Sequence, residues 1–309
     1  MKNNTLLKKK AANGLFNLFR MFFLISVGYI IIFQLVYIIT YAFRPSAQIN
    51  DPSVVWLSDS LTMQHIKDAF SVMDYPKSFL RTLFIQVLSG LLEVFTCAIA
   101  AYGFSRFEFF GKNFFFVMVM LTIIIPTQML GVPMYLNYAR FDVYGIFGLF
   151  EKITGIYVKP NLLDTGWVFY LPAIFGAGYR SGLFIFIYRQ FFKGLPKELE
   201  EAAAIDGAGP LKTFLSIVIP SSSVVILTVT IFTIVWHWNE YYNSVLFFDE
   251  NFPLSVKLSS LTVGLGGSIV SDRGFTMAGC LIFMLPVLIM YAFLQNKFVK
   301  SIDRVGIVG

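Results

Sequence analysis

Charge, cysteine and histidine are all scarce in this chain. Of its 309 residues only 14% are Asp, Glu, Lys or Arg, and there are two cysteines and two histidines. Cys97 and Cys280 both fall in apolar stretches, which excludes a disulfide framework and a cysteine metal motif. His65 and His237 have no carboxylates placed beside them in a ligand spacing, so no zinc site is expected. His237 and Glu240 lie on adjacent turns and are expected to lack a partner, which leaves no acid–base pair for an enzyme. No Gly-rich phosphate loop runs into Lys-Ser or Lys-Thr, so ATP is not expected to bind here. The chain therefore reads as a non-enzyme that binds no cofactor of its own.

What it has in abundance is apolar surface, at 57% hydrophobic and 17% aromatic residues. The sparse charge is gathered into blocks, separated by apolar runs long enough to cross a bilayer. The first run, 21–43, is bounded by Arg20 and Arg44. At ~1.5 Å per residue it reaches about 35 Å, and no small-residue cleavage site follows, so it predicts a retained span. A mixed segment, 45–77, then predicts short helices outside the membrane. Further spans are expected over 82–105, 113–139 (kinked or broken at Pro126 and Pro133), 166–192, 221–247 and 274–296. Six spans place both termini on one side. The segments on that side carry Lys2, Lys8, Lys9, Lys10, Arg20, Arg106, Lys112, Arg189, Lys193, Lys197, Lys212, Lys297, Lys300 and Arg304. That basic bias assigns them, and both termini, to the cytoplasm. The net charge of +6 is thus read as membrane orientation rather than as a nucleic-acid surface.

Between the fourth and fifth spans lies the most polar ordered-looking stretch, 194–220. Pro196 suits the first position of a helix, and Glu198, Glu200 and Glu201 complement the helix dipole. Ala202, Ala203 and Ala204 give strong helix propensity with little bulk, Ile205 and Asp206 follow, and Gly207 suits a left-handed stop. Pro210 opens a second helix. The prediction is helix, bend, helix, with a smooth alanine face suited to another protein's groove.

Glu201-Ala202-Ala203, Gly207 after three residues, Ile217 after nine more and Pro220 resemble the EAA loop of bacterial ATP-binding-cassette (ABC) importer permeases. The wording Glu-Leu-Glu-Glu-Ala-Ala-Ala-Ile-Asp-Gly-Ala is most similar to the carbohydrate-uptake branch, the maltose permease small-subunit-like proteins. Ile219 stands where that branch usually has leucine. The resemblance covers roughly residues 81–300. It implies an all-α, polytopic fold of the MetI-like type I importer class, with residues 1–80 as tail, first span and external segment. Residues 81–309 would then form the five-span permease core, with a coupling loop at 194–214 that docks on a separate ATPase. A second homologous permease chain, two ATPase subunits carrying ATP and Mg, and an extracytoplasmic solute-binding protein are the implied partners. The implied cargo is a sugar or oligosaccharide crossing the bacterial plasma membrane by alternating access. A permease for another solute, or a secondary transporter, is the alternative; the latter more often shows internal duplication, and no repeat stands out here.

Two ionisable groups fall inside spans, where such groups mark function by default. Glu93 and Arg180 each lie about twelve residues from an inner span end, about 18 Å deep. Equal depth allows them to pair, or to face one water-filled cavity and touch substrate. Alternatively, Arg180 lies higher, at the outer mouth, and Glu93 hydrogen-bonds a neighbouring helix. The run Trp238-Asn239-Glu240-Tyr241, in the outer half of the fifth span, is similar to a segment common in sugar-importer permeases. Aromatic faces beside amide and carboxylate groups suit sugar rings, although an interfacial aromatic belt has the same composition. The segment 140–165 reads as an outer-face insertion. Gly264, Gly266 and Gly267 make 261–270 a flexible external loop that, by resemblance, reaches towards the binding protein.

Overall fold

The computed structural model describes residues 2–54, 56, 58–143, 145–263 and 273–305, with side chains over 13–261 and 273–295 of these. Among the described residues every regular element is helical and there is no strand. Contacts divide them into two compact units, Met1–Val72 with Leu261–Phe283, and Met73–Ser260 with Met284–Gly309.

In the first unit α1 (Lys2–Phe43) is a single 42-residue helix. Its apolar part, Asn13–Phe43, is 31 residues long and has none of its most apolar window buried. Leu, Ile and Phe on all sides of a helix are stable only with lipid or another chain around them. Near its end, Phe33, Tyr37 and Tyr41 recur every four residues and their rings lie in contact along one side, at 6.3 and 4.3 Å between centroids. The chain then turns through Arg44, which is buried with its guanidinium over the Tyr41 ring, and reaches α2 (Gln64–Val72). Here His65 is buried, with its Nε2 at 2.9 Å from the Arg44 carbonyl. Gly274 lies so close that a Cβ there would stand 2.7 Å from that nitrogen.

The second unit is built around α3 (Tyr75–Arg106), 32 residues with a π-helical stretch at Thr82–Val87. Its sequence is inside out relative to a soluble helix. Leu80, Phe84, Leu88, Leu91, Phe95 and Ile99, three or four residues apart, form an exposed apolar stripe. Thr82, Gln86, Ser89, Glu93 and Cys97, at the same spacing on the other face, are buried. In lipid the apolar stripe faces outward without penalty, while each polar group must be satisfied inside.

Next come α4 (Lys112–Ile124) and, after a 3-10 turn at Thr127–Leu130, α5 (Gly131–Ala139). The expected kink falls at Pro126, where the axis bends by 99°. Ile125 is extended there (φ −72°, ψ 119°), as the residue before proline prefers. Pro133 produces no second break, because it lies in the first turn of α5, where helix N–H groups have no intrahelical partner. Between α5 and the next predicted span the chain carries α6 (Ile146–Thr154). Asp142 accepts the backbone N–H groups of Phe147 and Gly148 at 2.9 and 3.0 Å, and Lys159 bridges Asp142 and Glu151 at 3.5 Å each.

The fourth predicted span is not one helix. It divides into α7 (Trp167–Ile174) and α8 (Ser181–Gly194), with residues 175–180 unwound between them. Pro172 removes a helix donor, and Gly176 (φ +65°) and Arg180 (φ +69°) both take left-handed backbone, which no α-helix can continue through. Where α8 resumes, Gly182 permits the close packing its size implies. A Cβ there would meet Thr122 Oγ1 and stand 2.9 Å from the Val119 carbonyl of α4.

After α8 the chain forms α9 (Glu198–Ile205), α10 (Pro210–Ser221) and α11 (Ser223–Trp238), the last two meeting at an 81° bend. The fifth predicted span also stops short. It ends at Trp238, and Tyr242–Phe247 forms a separate short helix, α12. Then come α13 (Leu254–Val263) and α14 (Arg273–Val305), which runs through Pro286 without a break. Of the outer loop expected at 261–270, residues 264–270 lie outside the described residues.

Among the described residues, three helices are long and apolar enough to cross a membrane alone, and five if each bent pair counts as one span. The fourth predicted span, in its two pieces, is the one beyond that number.

One half of this unit is held by a cluster of Cys97, Ala98, Ala101 and Tyr102 from α3 with Phe184, Ile185, Tyr188 and Phe192 from α8. Phe214, Val218, Val225 and Val229, from α10 and α11, close it. A second cluster gathers Ile85, Tyr138, Val168, Phe169, Phe247 and Phe248 towards the other end.

Candidate functional site

Two sites emerge: a polar knob at one end of the second unit, and a buried polar chain within it.

The knob is α9. Its first-turn glutamates behave differently from one another. Glu200 turns inward, with its Oε1 2.6 Å from Arg106 Nε and its Oε2 accepting from the Tyr102 hydroxyl at 2.9 Å. Arg106 also donates to the Leu195 carbonyl at 2.9 Å, so one arginine at the end of α3 holds both ends of the turn before α9. Glu201 and Ala202 are exposed, Ala203 is buried at 6% exposure, and Ile205 is 87% exposed. Asp206 and Gly207 are exposed as well. Gly207 has φ +79° and Ala208 N–H bonds back to the Ala203 carbonyl at 2.9 Å, the left-handed stop read from the sequence. The helix thus stands on Glu200 and Ala203 and presents Glu201, Ala202, Ile205 and Asp206 outward. A solvated Ile at the tip of an anchored helix has no packing reason to be there.

The buried chain runs from the break in the fourth predicted span to the end of α11. Glu93, fully buried on α3, accepts from Ser181 Oγ at 2.5 Å and lies 2.8 Å from His237 Nε2. Its partners are therefore a serine and a histidine on neighbouring helices. Arg180 lies elsewhere: its guanidinium sits over the rings of Trp236 and Tyr179, at 5.0 and 5.4 Å from their centroids, and it is exposed. Of the readings open for these two residues, the structure takes the one in which Glu93 bonds a neighbouring helix. His237 was expected to have no partner, and that is corrected here: Glu93, distant in sequence, is brought against it by the packing of α3 on α11.

The other ring nitrogen, Nδ1, lies 3.3 Å from Ser89 Oγ and 3.4 Å from Gln86 Oε1. Directions follow from the donors already used. Ser89 Oγ donates to the Gln86 carbonyl at 2.9 Å, and Gln86 Nε2 donates to Ser244 Oγ at 2.9 Å. Ser244 Oγ in turn donates to the Glu240 carbonyl at 2.8 Å. Both neighbours of Nδ1 can then only accept, which assigns a hydrogen to Nδ1 and leaves one proton shared between Nε2 and Glu93. Gly90 makes the approach possible, since a Cβ there would stand 2.8 Å from Thr233 Cγ2 and 3.2 Å from His237 Cδ2.

The remaining sequence candidates separate by depth. Trp238 and Glu240 are buried, at 3% and 4% exposure, while Asn239 and Tyr241 are exposed at the turn that ends α11. Glu240 Oε1 accepts the Asn243 N–H at 2.7 Å, and Ser255 Oγ of α13 donates to the Glu240 carbonyl at 2.7 Å. Sequence reading passed over Gln86, Ser89, Ser181 and Ser244, and weighed His237 only beside Glu240. For the first two a signal existed: with Glu93 they recur at three- and four-residue spacing along a lipid-bounded helix.

Nothing in this arrangement pairs a nucleophile with a base at an open surface. Exposed apolar stripes around internal polar chains are the marks of a multi-pass membrane protein. Residues 94–304 match the family described as binding-protein-dependent transport system inner membrane component. The chain belongs to that family and is a permease of the ABC importer class. It is 29% identical over 295 residues to the probable ABC transporter permease protein YurM of Bacillus subtilis, covering 94% of this chain and 87% of that one. It is 25% identical to the arabinooligosaccharides transport system permease protein AraQ of Halalkalibacterium halodurans, covering 92% of this chain and 93% of the relative. A crystal structure of a bacterial ABC transporter involved in the import of the acidic polysaccharide alginate contains a chain of the same fold. The TM-score is 0.74 at 19% identity, with 93% of this chain and 98% of that chain covered.

Proposed function

We propose that this chain is one of two homologous permease subunits of an importer that carries a sugar or oligosaccharide into the cell. Two separate ATPase subunits hold ATP and Mg, and an extracytoplasmic binding protein delivers the cargo. Both termini and α9 face the cytoplasm, in line with the basic residues on that side. The cargo class is supported by relatives named for oligosaccharide uptake and by the Trp238-Asn239-Glu240-Tyr241 turn.

The observation that carries the coupling is the exposed tip of an anchored helix: Glu201, Ala202, Ile205 and Asp206 outside, Glu200 held by Arg106. Closure of the ATPases on ATP moves α9 as a rigid body. Because Arg106 ends α3, that motion passes along α3 and shifts the spans between inward- and outward-facing states, two conformations biased by one partner. Along the pathway Arg180, Asn239 and Tyr241 present to the cargo, and Glu93, Trp238 and Glu240 build the wall behind them.

The test is co-purification of the ATPase with tagged permease. Ile205→Asp, on the exposed tip, should lose most of the ATPase while the permease stays monodisperse in detergent, and Gly207→Pro should do the same by disrupting the stop. Full retention of the ATPase in both variants would refute the coupling role.

A further inference from the structure

The break at 175–180 is held from one side by α3. Thr96 Oγ1 donates at 2.7 Å to the Ala173 carbonyl, which also accepts the Gly176 N–H at 3.2 Å. Cys97 Sγ lies 3.7 Å from the Ser181 carbonyl, and Ser181 Oγ donates to Glu93 Oε1 at 2.5 Å. Gly178 rests on the same carboxylate, near enough that a Cβ would stand 3.1 Å from Glu93 Cδ. The other carboxylate oxygen is taken by His237 at 2.8 Å. His237 cannot drift, because Nδ1 is bounded by Ser89 and Gln86 and the Tyr179 ring lies edge-on to it, with centroids 6.0 Å apart.

We infer that Glu93 and His237 act as one positioning unit, which holds the 175–180 break and thereby sets where Arg180 presents its guanidinium to the transport pathway. Arg180 follows Gly178 by two residues and Glu93 touches both Gly178 and Ser181, so the carboxylate grips the chain on either side of the arginine. Its left-handed backbone (φ +69°) is a conformation that a non-glycine residue keeps only where the surroundings impose it. Without the carboxylate, the break loses the acceptor of the Ser181 hydroxyl, and His237 loses the group that orients it. The inference rests on the reading of Arg180 as a pathway residue.

The experiment is cargo uptake by the intact importer in proteoliposomes, with KM and kcat measured for Arg180→Gln, Glu93→Gln, His237→Gln and the double variants. Each of Glu93→Gln and His237→Gln should raise KM about tenfold with kcat within about threefold, the signature expected of Arg180→Gln. Adding Glu93→Gln to Arg180→Gln should change nothing further, since a positioning group has no effect once the group it positions is gone. Multiplying losses in that double variant, or a fall in kcat at constant KM, would overturn the inference. Should Glu93→Gln fail to assemble, Ser181→Ala removes only the hydroxyl that ties the break to the carboxylate and is read in the same way. A second arm measures amide exchange over 175–181, which should speed up at least tenfold in His237→Gln while the middle of α8 is unchanged; unaltered exchange would overturn the positioning unit. If Arg180→Gln leaves KM unmoved, the pathway reading of Arg180 falls, and the exchange arm still decides whether Glu93 and His237 hold the break.

Discussion

At the scale of single residues, absent side chains matter as much as present ones. Gly90 is one of the points at which α3 and α11 meet, and its hydrogen occupies space that any Cβ would share with Thr233 and His237. Gly90→Ala therefore overpacks that crossing, at a cost of about 1–3 kcal/mol. Thermal unfolding in detergent should shift down by several degrees, and an unchanged midpoint would mean that α11 moves aside freely. Alanine at Gly194 or Gly209, where nothing lies within 4 Å, serves as the control. The pairing of Glu93 was only half legible in the sequence. Depth along a span is countable at a fixed rise per residue, but azimuth depends on which helix packs alongside, and the π-helical stretch at Thr82–Val87 alters the register ahead of Glu93.

At the scale of elements, two latches hold polar segments in place. On the coupling side, Glu200 and Arg106 are largely shielded, with side-chain exposures of 18% and 8%. Glu200→Gln leaves the guanidinium without its carboxylate and should destabilise α9 by about 1–3 kcal/mol. Recovery of the ATPase should fall even though no exposed residue of the knob has changed; undiminished recovery would show that α9 does not depend on this anchor. Before α7, Asp164 accepts backbone N–H groups from Asp249, Glu250 and Asn251 at 3.2, 3.3 and 3.1 Å, with Asn251 Nδ2 at 2.5 Å. Burial pushes its carboxyl up, but these donors together outweigh burial and hold it below the ordinary carboxylate range. A carboxyl lowered by folding stabilises the folded chain above its unfolded pKa, about 3.9, and that stability is lost as pH falls through the folded value. Asp164→Asn should therefore lower the unfolding midpoint at pH 7 and flatten its decline below about pH 4. Parallel pH curves for the two proteins would contradict this account.

At the scale of the whole molecule, the decisive question is which way the chain threads the membrane. The basic residues of 1–20, 106–112, 189–212 and 297–304 are expected on the cytoplasmic side together with α9. A cysteine at Ile205, in a chain with Cys97 and Cys280 replaced, should react with a membrane-impermeant maleimide only in inside-out vesicles. Reaction from the outside of intact cells would invert the topology and remove the ATPase from the mechanism.

The sequence by itself determined the helical class, the positions of most apolar spans, the EAA loop and the site of the Pro126 bend. Each is written in a local signal: apolar length, helix start and stop residues, or a proline's missing donor. Only the tertiary structure decided that Glu93 faces His237 and Ser181 rather than Arg180, that Glu200 rather than Glu201 anchors the knob, and that the fourth span is broken. Those outcomes depend on which faces of distant helices meet, and in a chain apolar on every side the hydrophobic pattern does not mark the inward face; the few polar groups that need a buried partner do.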